Sequence, residues 1–371
     1  MKTPITEMLG IELPIFAFSH CRDVVVEVSK AGGMGVLGAS GFSPERLEEE
    51  LRWIDAHVDG KPYGVDLLIP NTYEKRAVGK LDLDVLIPRE TREFLANKCV
   101  EANIPPLPES EAAELLKTQL DKIQMTPEEA AGLLDVALRY PIKLLVNALG
   151  TPPRETVAML QAKGIRVASL VGKADHALAQ VDAGVDFIVA QGGEAGGHTG
   201  SISSMVLWPQ VIDAVAPMPV LAAGGIGRGK QMAAAMAMGA AGVWCGSIWL
   251  GTSQSEVSPK LKARLFAAKA EDAIQSRAMT GKPCRMLRSE FSDMWLAPGA
   301  PATLPMPLQT IATAEMRMRI ERAGAKDYMS YPVGQIVGDM THESSVRQVV
   351  MEMLEEFVDA ASSLSALVSE A

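Results

Sequence analysis

Residues 191–200, QGGEAGGHTG, combine five glycines with one histidine and one carboxylate. The imidazole of a histidine can accept or donate a proton near neutral pH, so His198 is suited to general acid–base chemistry. Glu194, four residues earlier, could orient that ring or could accept hydrogen bonds from amides of the same loop. The stretch follows VDFIVA (185–190), an apolar run typical of a buried strand. We therefore predict that His198 is catalytic and lies just beyond a strand end.

Two more glycine segments follow later apolar runs: GGIGRG at 224–229 and the pair Gly246-Ser247. Glycines let backbone N–H groups approach an anion closely, and the N-terminus of a following helix favours negative charge. These two segments therefore predict a phosphate-binding site beside the loop that carries His198. The alternative, that the glycines only make tight turns between strand and helix, stays open at this point.

The elements that must position these loops are eight short apolar runs, each followed by a helical pattern. The runs are nearly continuous in apolar residues, as expected for parallel strands covered on both faces. This alternation predicts an α/β fold, a TIM (β/α)8 barrel, whose active site lies at the C-terminal ends of the strands. The predicted strands are 14–18, 34–38, 63–68, 143–148, 165–170, 185–190, 219–224 and 242–247.

Two segments do not fit the repeat. Residues 69–142 are far longer than one barrel helix requires, so we predict a helical insertion after strand 3. Residues 256–340 are irregular and rich in proline, methionine and arginine, and we predict a substrate-capping segment over the barrel mouth. The barrel itself is then expected to comprise 1–255 and 341–371, and its last amphipathic helix is the eighth barrel helix.

Composition excludes several classes of function. The chain has 371 residues and a formal net charge of −10, which argues against nucleic-acid and anionic-membrane partners. Its four cysteines are widely spaced and form no CxxC pair, so we expect a reduced, cytoplasmic protein without a metal site. The uncharged stretch 231–255 is interrupted by glycines and predicts a buried helix and strand rather than a membrane span.

Several motifs together resemble the nitronate monooxygenase family, formerly called 2-nitropropane dioxygenases. The resemblance extends from LGIELPI near the N-terminus to GQIVGD before the last helix. The motif around His198 is also shared with flavin-dependent enoyl-acyl-carrier-protein reductases, so it specifies fold and cofactor better than substrate. The motifs are AQGGEAGGHTG, PVLAAGGI, GAAGVWCGS, SRAMTGKPCRMLR and VGQIVGD.

The resemblance implies a TIM-like barrel with noncovalent FMN, and it assigns roles by position. His198 falls on the family's catalytic histidine. Asp66 falls where the family usually has an asparagine that faces the flavin. The remaining cofactor-binding residues are implied at the flavin ring, Gln191 and Gly196, and around the ribityl phosphate, Gly225, Trp244, Cys245, Gly246 and Ser247. Gly224 is also implied to bind the cofactor.

The chain departs from the family pattern at several positions. Asp66 places a carboxyl group near the flavin, and Trp244 replaces a common glutamine. The sequence FAFSHCRD replaces the usual alanine-proline-methionine after strand 1, so His20 and Cys21 are expected to enter the substrate pocket.

The resemblance implies oxidation of alkyl nitronates by dioxygen to a carbonyl compound and nitrite. The alternative is an FMN-dependent enoyl reductase or dehydrogenase that acts on an acyl thioester or a cyclic enone. For that alternative, a basic cluster of Arg277, Lys282, Arg285 and Arg288 could bind phosphates of the carrier. A third possibility is a non-enzymatic barrel that binds a phosphate ligand. The use of NAD(P)H and the formation of a homodimer stay open.

Overall fold

The computed structural model describes residues 1–69, 86–123, 127–148 and 150–369. Eight parallel strands close into a barrel in which each strand pairs with the next and the last pairs with the first. This confirms the predicted TIM barrel, and each of the eight predicted runs overlaps one strand, with shifts of one or two residues at the ends. The strands are β1 (Ile15–Ser19), β2 (Met34–Gly38), β3 (Tyr63–Leu67), β4 (Leu144–Asn147), β5 (Arg166–Val171), β6 (Phe187–Gln191), β7 (Val220–Ala223) and β8 (Gly242–Cys245).

Helices surround the barrel and also build the segments that do not fit the repeat. The helix before β1 is α1 (Pro4–Leu9). Those that follow are α2 (Arg22–Lys30), α3 (Pro44–His57), α4 (Arg89–Glu101), α5 (Glu109–Ile123), α6 (Pro127–Ala137), α7 (Arg154–Ala162), α8 (Ala174–Ala183), α9 (Ser204–Val215), α10 (Gly229–Ala237), α11 (Pro259–Ala267), α12 (Glu290–Asp293), α13 (Leu308–Ala323) and α14 (Val346–Ser369). The last helix, α14, packs against α10 and α2, which is the place of the eighth barrel helix.

Side chains of the strands alternate between two apolar cores, as the strand period of two requires. In β3, Tyr63, Val65 and Leu67 belong to the core between barrel and helices. The intervening Asp66 therefore points into the barrel. The interior is filled by Phe16, Phe187 and Trp244 with smaller aliphatic side chains from the other strands. This alternation decides which sequence-predicted residues can face a ligand at the mouth.

The segments 69–142 and 256–340 are connected by one apolar core. Leu95 and Cys99 of α4 pack with side chains of the cap, including Met316 of α13 and Met286. By contrast, α6 packs on α3 and on β3, as a barrel helix does. The predicted insertion therefore divides into an early part that belongs with the cap and a late part that belongs with the barrel. Residues 70–85 and 124–126 of the insertion lie outside the described residues.

Among the described residues, no helix is long and apolar enough to cross a bilayer. The uncharged stretch 231–255 forms most of α10, then β8, and then a 3₁₀ turn at Ser247–Gly251. The helix-and-strand interpretation of this stretch is thus confirmed.

Candidate functional site

Three loops meet at the C-terminal ends of β6, β7 and β8: loop 6 (192–203), loop 7 (224–228) and loop 8 (246–258). A segment of the cap, residues 333–339, crosses them and is called the strap here. The Gly334 amide donates to Ser247 Oγ at 2.8 Å, and the Gln335 amide donates to the carbonyl of Glu194 at 2.9 Å. The strap thereby ties loop 8 to loop 6 over the barrel mouth.

The contact between strap and loop 6 explains the glycine at position 196. A methyl group on Gly196 would lie 2.8 Å from the Gly334 nitrogen and 2.8 Å from Val333 Cα. Real Cβ atoms essentially never come so close to backbone atoms, so loop 6 and the strap both need glycine where they cross. The glycines of this motif therefore serve close packing as well as any contact with a ligand.

Glu194 belongs to the framework of the site and does not orient His198. Its carboxylate accepts hydrogen bonds from the Ser204 amide at 2.9 Å and from Ser204 Oγ at 2.7 Å. Ser204 is the first residue of α9, so the carboxylate caps this helix at its positive end. Of the two roles considered from the sequence, binding of loop amides is the one observed.

His198 is exposed, and the cap anchors its ring. Gly197 and Arg285 exchange both main-chain hydrogen bonds, 2.9 Å and 2.7 Å, so loop 6 pairs antiparallel with the cap strand Cys284–Leu287. The Nδ1 atom of His198 lies 3.0 Å from the carbonyl oxygen of Pro283. A carbonyl can only accept, so Nδ1 carries the proton of the neutral ring. Nε2 is left with a free lone pair and can act as a base.

The floor of the mouth combines apolar side chains with two polar groups that lack protein partners. By strand parity, Phe18, Asp66, Leu170 and Gln191 all point inward at the upper end of the barrel. In the described part of the chain, no hydrogen bond engages the side-chain amide of Gln191 or the carboxyl of Asp66. An apolar surface with two unsatisfied polar groups suits a planar heteroaromatic ring such as flavin.

Asp66 is 1% exposed, neither of its carboxyl oxygens makes a hydrogen bond of standard geometry, and the Ser40 side chain is a polar neighbour. Loss of hydration in this buried position raises the pKa of the carboxyl well above its usual range. A buried carboxyl that is neutral can donate as well as accept a hydrogen bond, as the amide of the family's asparagine can. The substitution of aspartate for asparagine therefore fits an uncharged polar contact at this position.

We expect Asp66→Asn to be more stable than the wild type, and increasingly so with rising pH. In the unfolded chain Asp66 ionises near pH 4, whereas in the folded chain it stays protonated to higher pH, so folding of the wild type is penalised above pH 4. The penalty grows by roughly 1.4 kcal/mol per pH unit up to the folded-state pKa. Guanidinium unfolding of both proteins at pH 4, 5.5 and 7 measures this difference. A difference that does not change with pH would contradict a protonated Asp66.

The predicted phosphate-binding site has unpaired main-chain amides and empty space beside them. Within the described chain, no hydrogen bond engages the amides of Gly225, Gly246 and Ser247. Gly246 has an ordinary φ of −118°, and no described atom lies within 4 Å of where a side chain would begin. Neither strain nor packing therefore requires glycine at 246. Open space at a glycine beside free amides fits a bound phosphate group.

One part of the prediction for the phosphate-binding site is wrong, because the N-terminus of α10 is not available to a phosphate. The Gly229 amide donates to a carboxylate oxygen of Glu356 at 2.9 Å. The Arg228 guanidinium pairs with the same carboxylate. The side chain of Gln231 also accepts the amides of Gly227 and Arg228, at 2.9 Å and 3.0 Å. Glu356 belongs to α14, so residues distant in sequence occupy the positive end of this helix.

Of the other predicted residues, two lie at the rim or in the interior of the barrel, and one lies outside it. His20 is exposed at the rim, with Nδ1 2.6 Å from the Gly38 carbonyl and its ring edge on Phe18. Trp244 lies inside the barrel, stacked on Phe16 at 6.1 Å. The prediction that Cys21 enters the pocket is wrong, because its buried thiol turns outward and contacts the carbonyl of Gln254 at 3.0 Å.

Cys245 can contribute to a ligand site only through its main chain. Its side chain lies in the core between barrel and helices, and burial raises the pKa of this thiol to about 12. All four cysteines are free and buried. No cluster of histidine, cysteine and carboxylate side chains suited to a metal occurs among the residues that the structure describes.

The basic cluster considered for the reductase alternative is largely committed to structure. Arg285 donates to the carbonyl oxygen of Gly193 at 2.8 Å and also to that of Ala273. Arg288 pairs with Asp293 at 2.9 Å, and Arg277 donates to the carbonyl of Gly281. Only Lys282 remains exposed without a described side-chain contact. The four cations therefore form no shared phosphate site.

The model of the family described as nitronate monooxygenase matches residues 2–356 of this chain. A protein of Mycobacterium tuberculosis named as a monooxygenase is 46% identical over 377 residues, covering 99% of this chain and 100% of that protein. A protein of Staphylococcus saprophyticus named as a nitronate monooxygenase is 28% identical, covering 78% of this chain and 80% of its own.

Solved structures of similar fold include two at or slightly above 25% identity. A nitroalkane oxidase from Streptomyces ansochromogenes superposes with a TM-score of 0.78 at 26% identity, covering 97% of this chain and 99% of its own. FabK from Thermotoga maritima superposes with a TM-score of 0.73 at 25% identity, covering 99% of each chain.

Proposed function

The chain belongs to the nitronate monooxygenase family of oxidoreductases, and from that premise we propose that it oxidises alkyl nitronates with FMN and dioxygen. The products would be a carbonyl compound and nitrite. The observation that carries the proposal is His198, held by the Pro283 carbonyl so that Nε2 is free at the barrel mouth. This ring lies on the loop that also borders the unpaired amides and the polar floor described above.

His198 would act on the substrate through Nε2. A neutral nitroalkane becomes a nitronate when its α-carbon loses a proton, and a basic imidazole can take that proton. Once protonated, the same ring places a positive charge beside the nitronate anion. The Pro283 carbonyl keeps Nδ1 protonated in both states, so the tautomer does not change during proton transfer.

The described residues fit FMN in two places. The amides of Gly225, Gly246 and Ser247 would hold the phosphate, and Asp66 with Gln191 would meet the polar edge of the ring. Gly196 and Gly224 would border the ring through their main chains. When bound, FMN would supply electron transfer and the reaction with dioxygen. The half-buried side chains of Phe18 and Leu170 would exclude water from one face of the ring.

The reductase alternative has weaker support in the described residues. The likeness to FabK is close in fold, but the cations that were expected to bind a carrier phosphate are engaged elsewhere. NAD(P)H is therefore not part of the proposed reaction.

Anaerobic reduction of the purified, flavin-loaded protein separates the two functions. We expect ethylnitronate to bleach the flavin absorbance rapidly, and NADPH at equal concentration to bleach it slowly or not at all. The same protein mixed with an equal volume of buffer without substrate controls for photoreduction of the flavin. Rapid bleaching by NADPH alone would instead support the reductase.

A further inference from the structure

Arg317 is a half-buried cation in the cap that the proposed function does not use. It lies on α13 in line with Thr313 and Gln309, four and eight residues earlier. Thr313 donates to the carbonyl oxygen of Met279, and Gln309 donates to that of Ala278. This face of α13 therefore covers the segment that leads into the cap strand Cys284–Leu287. Arg317 is the third member of the row, and its positive charge acts on the thiol of Cys284.

The guanidinium of Arg317 has almost no protein partner. Its single described hydrogen bond runs from an Nη atom to the carbonyl of Thr310, at 3.3 Å. The Nε atom is buried and unpaired, and among the described residues no ion pair engages the side chain. Burial lowers the pKa of the guanidinium, but an arginine stays charged in proteins. A charge that has lost much of its hydration and has no counterion is unfavourable and calls for an anionic partner.

Cys284 cannot supply the missing negative charge. It is 2% exposed, and burial raises the pKa of its thiol to about 11, even with the positive charge of Arg317 beside it. The thiol is therefore protonated at neutral pH. The positive charge remains uncompensated by the described protein.

The pairing of loop 6 with the cap strand brings Arg317 toward the catalytic histidine. Gly197 and Arg285 form a hydrogen-bonded antiparallel pair, so His198 and Cys284 are the next opposite pair. Opposite residues of an antiparallel pair project to the same face. The contact of His198 Nδ1 with the Pro283 carbonyl agrees with this register. His198, Cys284 and Arg317 therefore follow one another along one face.

We propose that Arg317 is an anion-binding residue of the substrate site, which holds an oxyanion group of the substrate beyond His198. This inference depends on the proposed function for the identity of the substrate. The group would be the nitronate itself or a carboxylate that the substrate carries, since a guanidinium fork suits both.

Thermal unfolding tests this role without any catalytic readout. Because the charge is partly desolvated and has no counterion, Arg317→Met should unfold at the same temperature as the wild type or higher. Acetate should raise the unfolding temperature of the wild type, whereas acetamide at equal ionic strength should not. The variant should bind acetate at least tenfold more weakly. Lys326→Met removes an exposed cap cation without a described side-chain contact and serves as the control.

Turnover then distinguishes the two sources of the oxyanion. A rise of at least tenfold in KM for a carboxylated nitronate alone, in Arg317→Met, assigns the residue to the carboxylate. An equal rise for ethylnitronate assigns it to the nitronate group.

The inference is overturned if Arg317→Met unfolds several degrees lower and acetate stabilises it as much as the wild type, because Arg317 would then be structural. It is also overturned if KM is unchanged for both substrates. If acetate stabilises only the wild type but no nitronate is oxidised, the anion site stands and the proposed function fails.

Discussion

His198→Asn is expected to retain bound flavin and to lose about 10²–10⁴-fold in turnover of a neutral nitroalkane. Asparagine can still donate to the Pro283 carbonyl, so the anchor between loop 6 and the cap is kept. It offers no basic nitrogen in place of Nε2, so the proton of the substrate has no acceptor. The flavin spectrum should change little, because the proposed phosphate and ring contacts come from other residues. Steady-state turnover and the visible spectrum of the variant measure both effects.

The matched control is His20→Asn. His20 is also exposed at the mouth, and its Nδ1 likewise lies against a main-chain carbonyl, that of Gly38. We expect its turnover to stay within a few-fold of the wild type. With a preformed nitronate, the loss in His198→Asn should be smaller, since no proton has to be removed. A variant of His198 that is within a few-fold of wild type on both substrates would remove this residue from the mechanism, and His20 would become the candidate.

Gly246→Asp is expected to yield folded protein without flavin. The backbone at 246 is unstrained and the space above it is open, so the aspartate side chain fits in the absence of a ligand. It would place a carboxylate next to the proposed phosphate. Two unit charges 4 Å apart near a protein surface repel by about 4 kcal/mol. That repulsion weakens flavin binding by about three orders of magnitude. The ratio of the visible flavin absorbance to the ultraviolet protein absorbance reports how much of the protein holds flavin.

Gly41→Asp is the control for this charge. Gly41 is exposed on the loop after β2, also at the mouth, and no described atom lies within 4 Å of its Cβ position. It should bind flavin as the wild type does. Normal flavin content in Gly246→Asp would show that the phosphate site lies elsewhere. Gly225→Asp is less informative, because its φ of +68° makes any side chain strained.

The barrel could be predicted because its signals are local. Strands covered on both faces need continuous apolar runs, and each run could be recognised from its own residues alone. The division of 69–142 could not be predicted, because it depends on which neighbour each helix contacts. Leu95 and Cys99 of α4 resemble other half-buried helix positions in sequence, yet their partners lie in the cap.

The candidate site was predictable where chemistry and strand end coincide, as at His198 and Gly246. It was not predictable where the partner is distant in sequence. Glu356 reaches the N-terminus of α10 from the last helix, and no feature near Gly229 indicates this. The VGQIVGD motif supported the family resemblance, but its role as a strap is visible only in the hydrogen bonds of Gly334 and Gln335. Nothing in the sequence marked Arg317, because an unpaired cation is recognised only from its surroundings in the fold.

The central claim is that the barrel mouth beneath His198 oxidises nitronates with a bound FMN. The most direct measurement follows dioxygen uptake and nitrite release by the purified protein with ethylnitronate as the only added reductant. The account predicts a yellow protein, FMN as the extracted chromophore, and nitrite release that continues over many turnovers without NADPH. A colourless protein, or a flavin-loaded protein that consumes dioxygen only when NADPH is added and releases no nitrite, would contradict it.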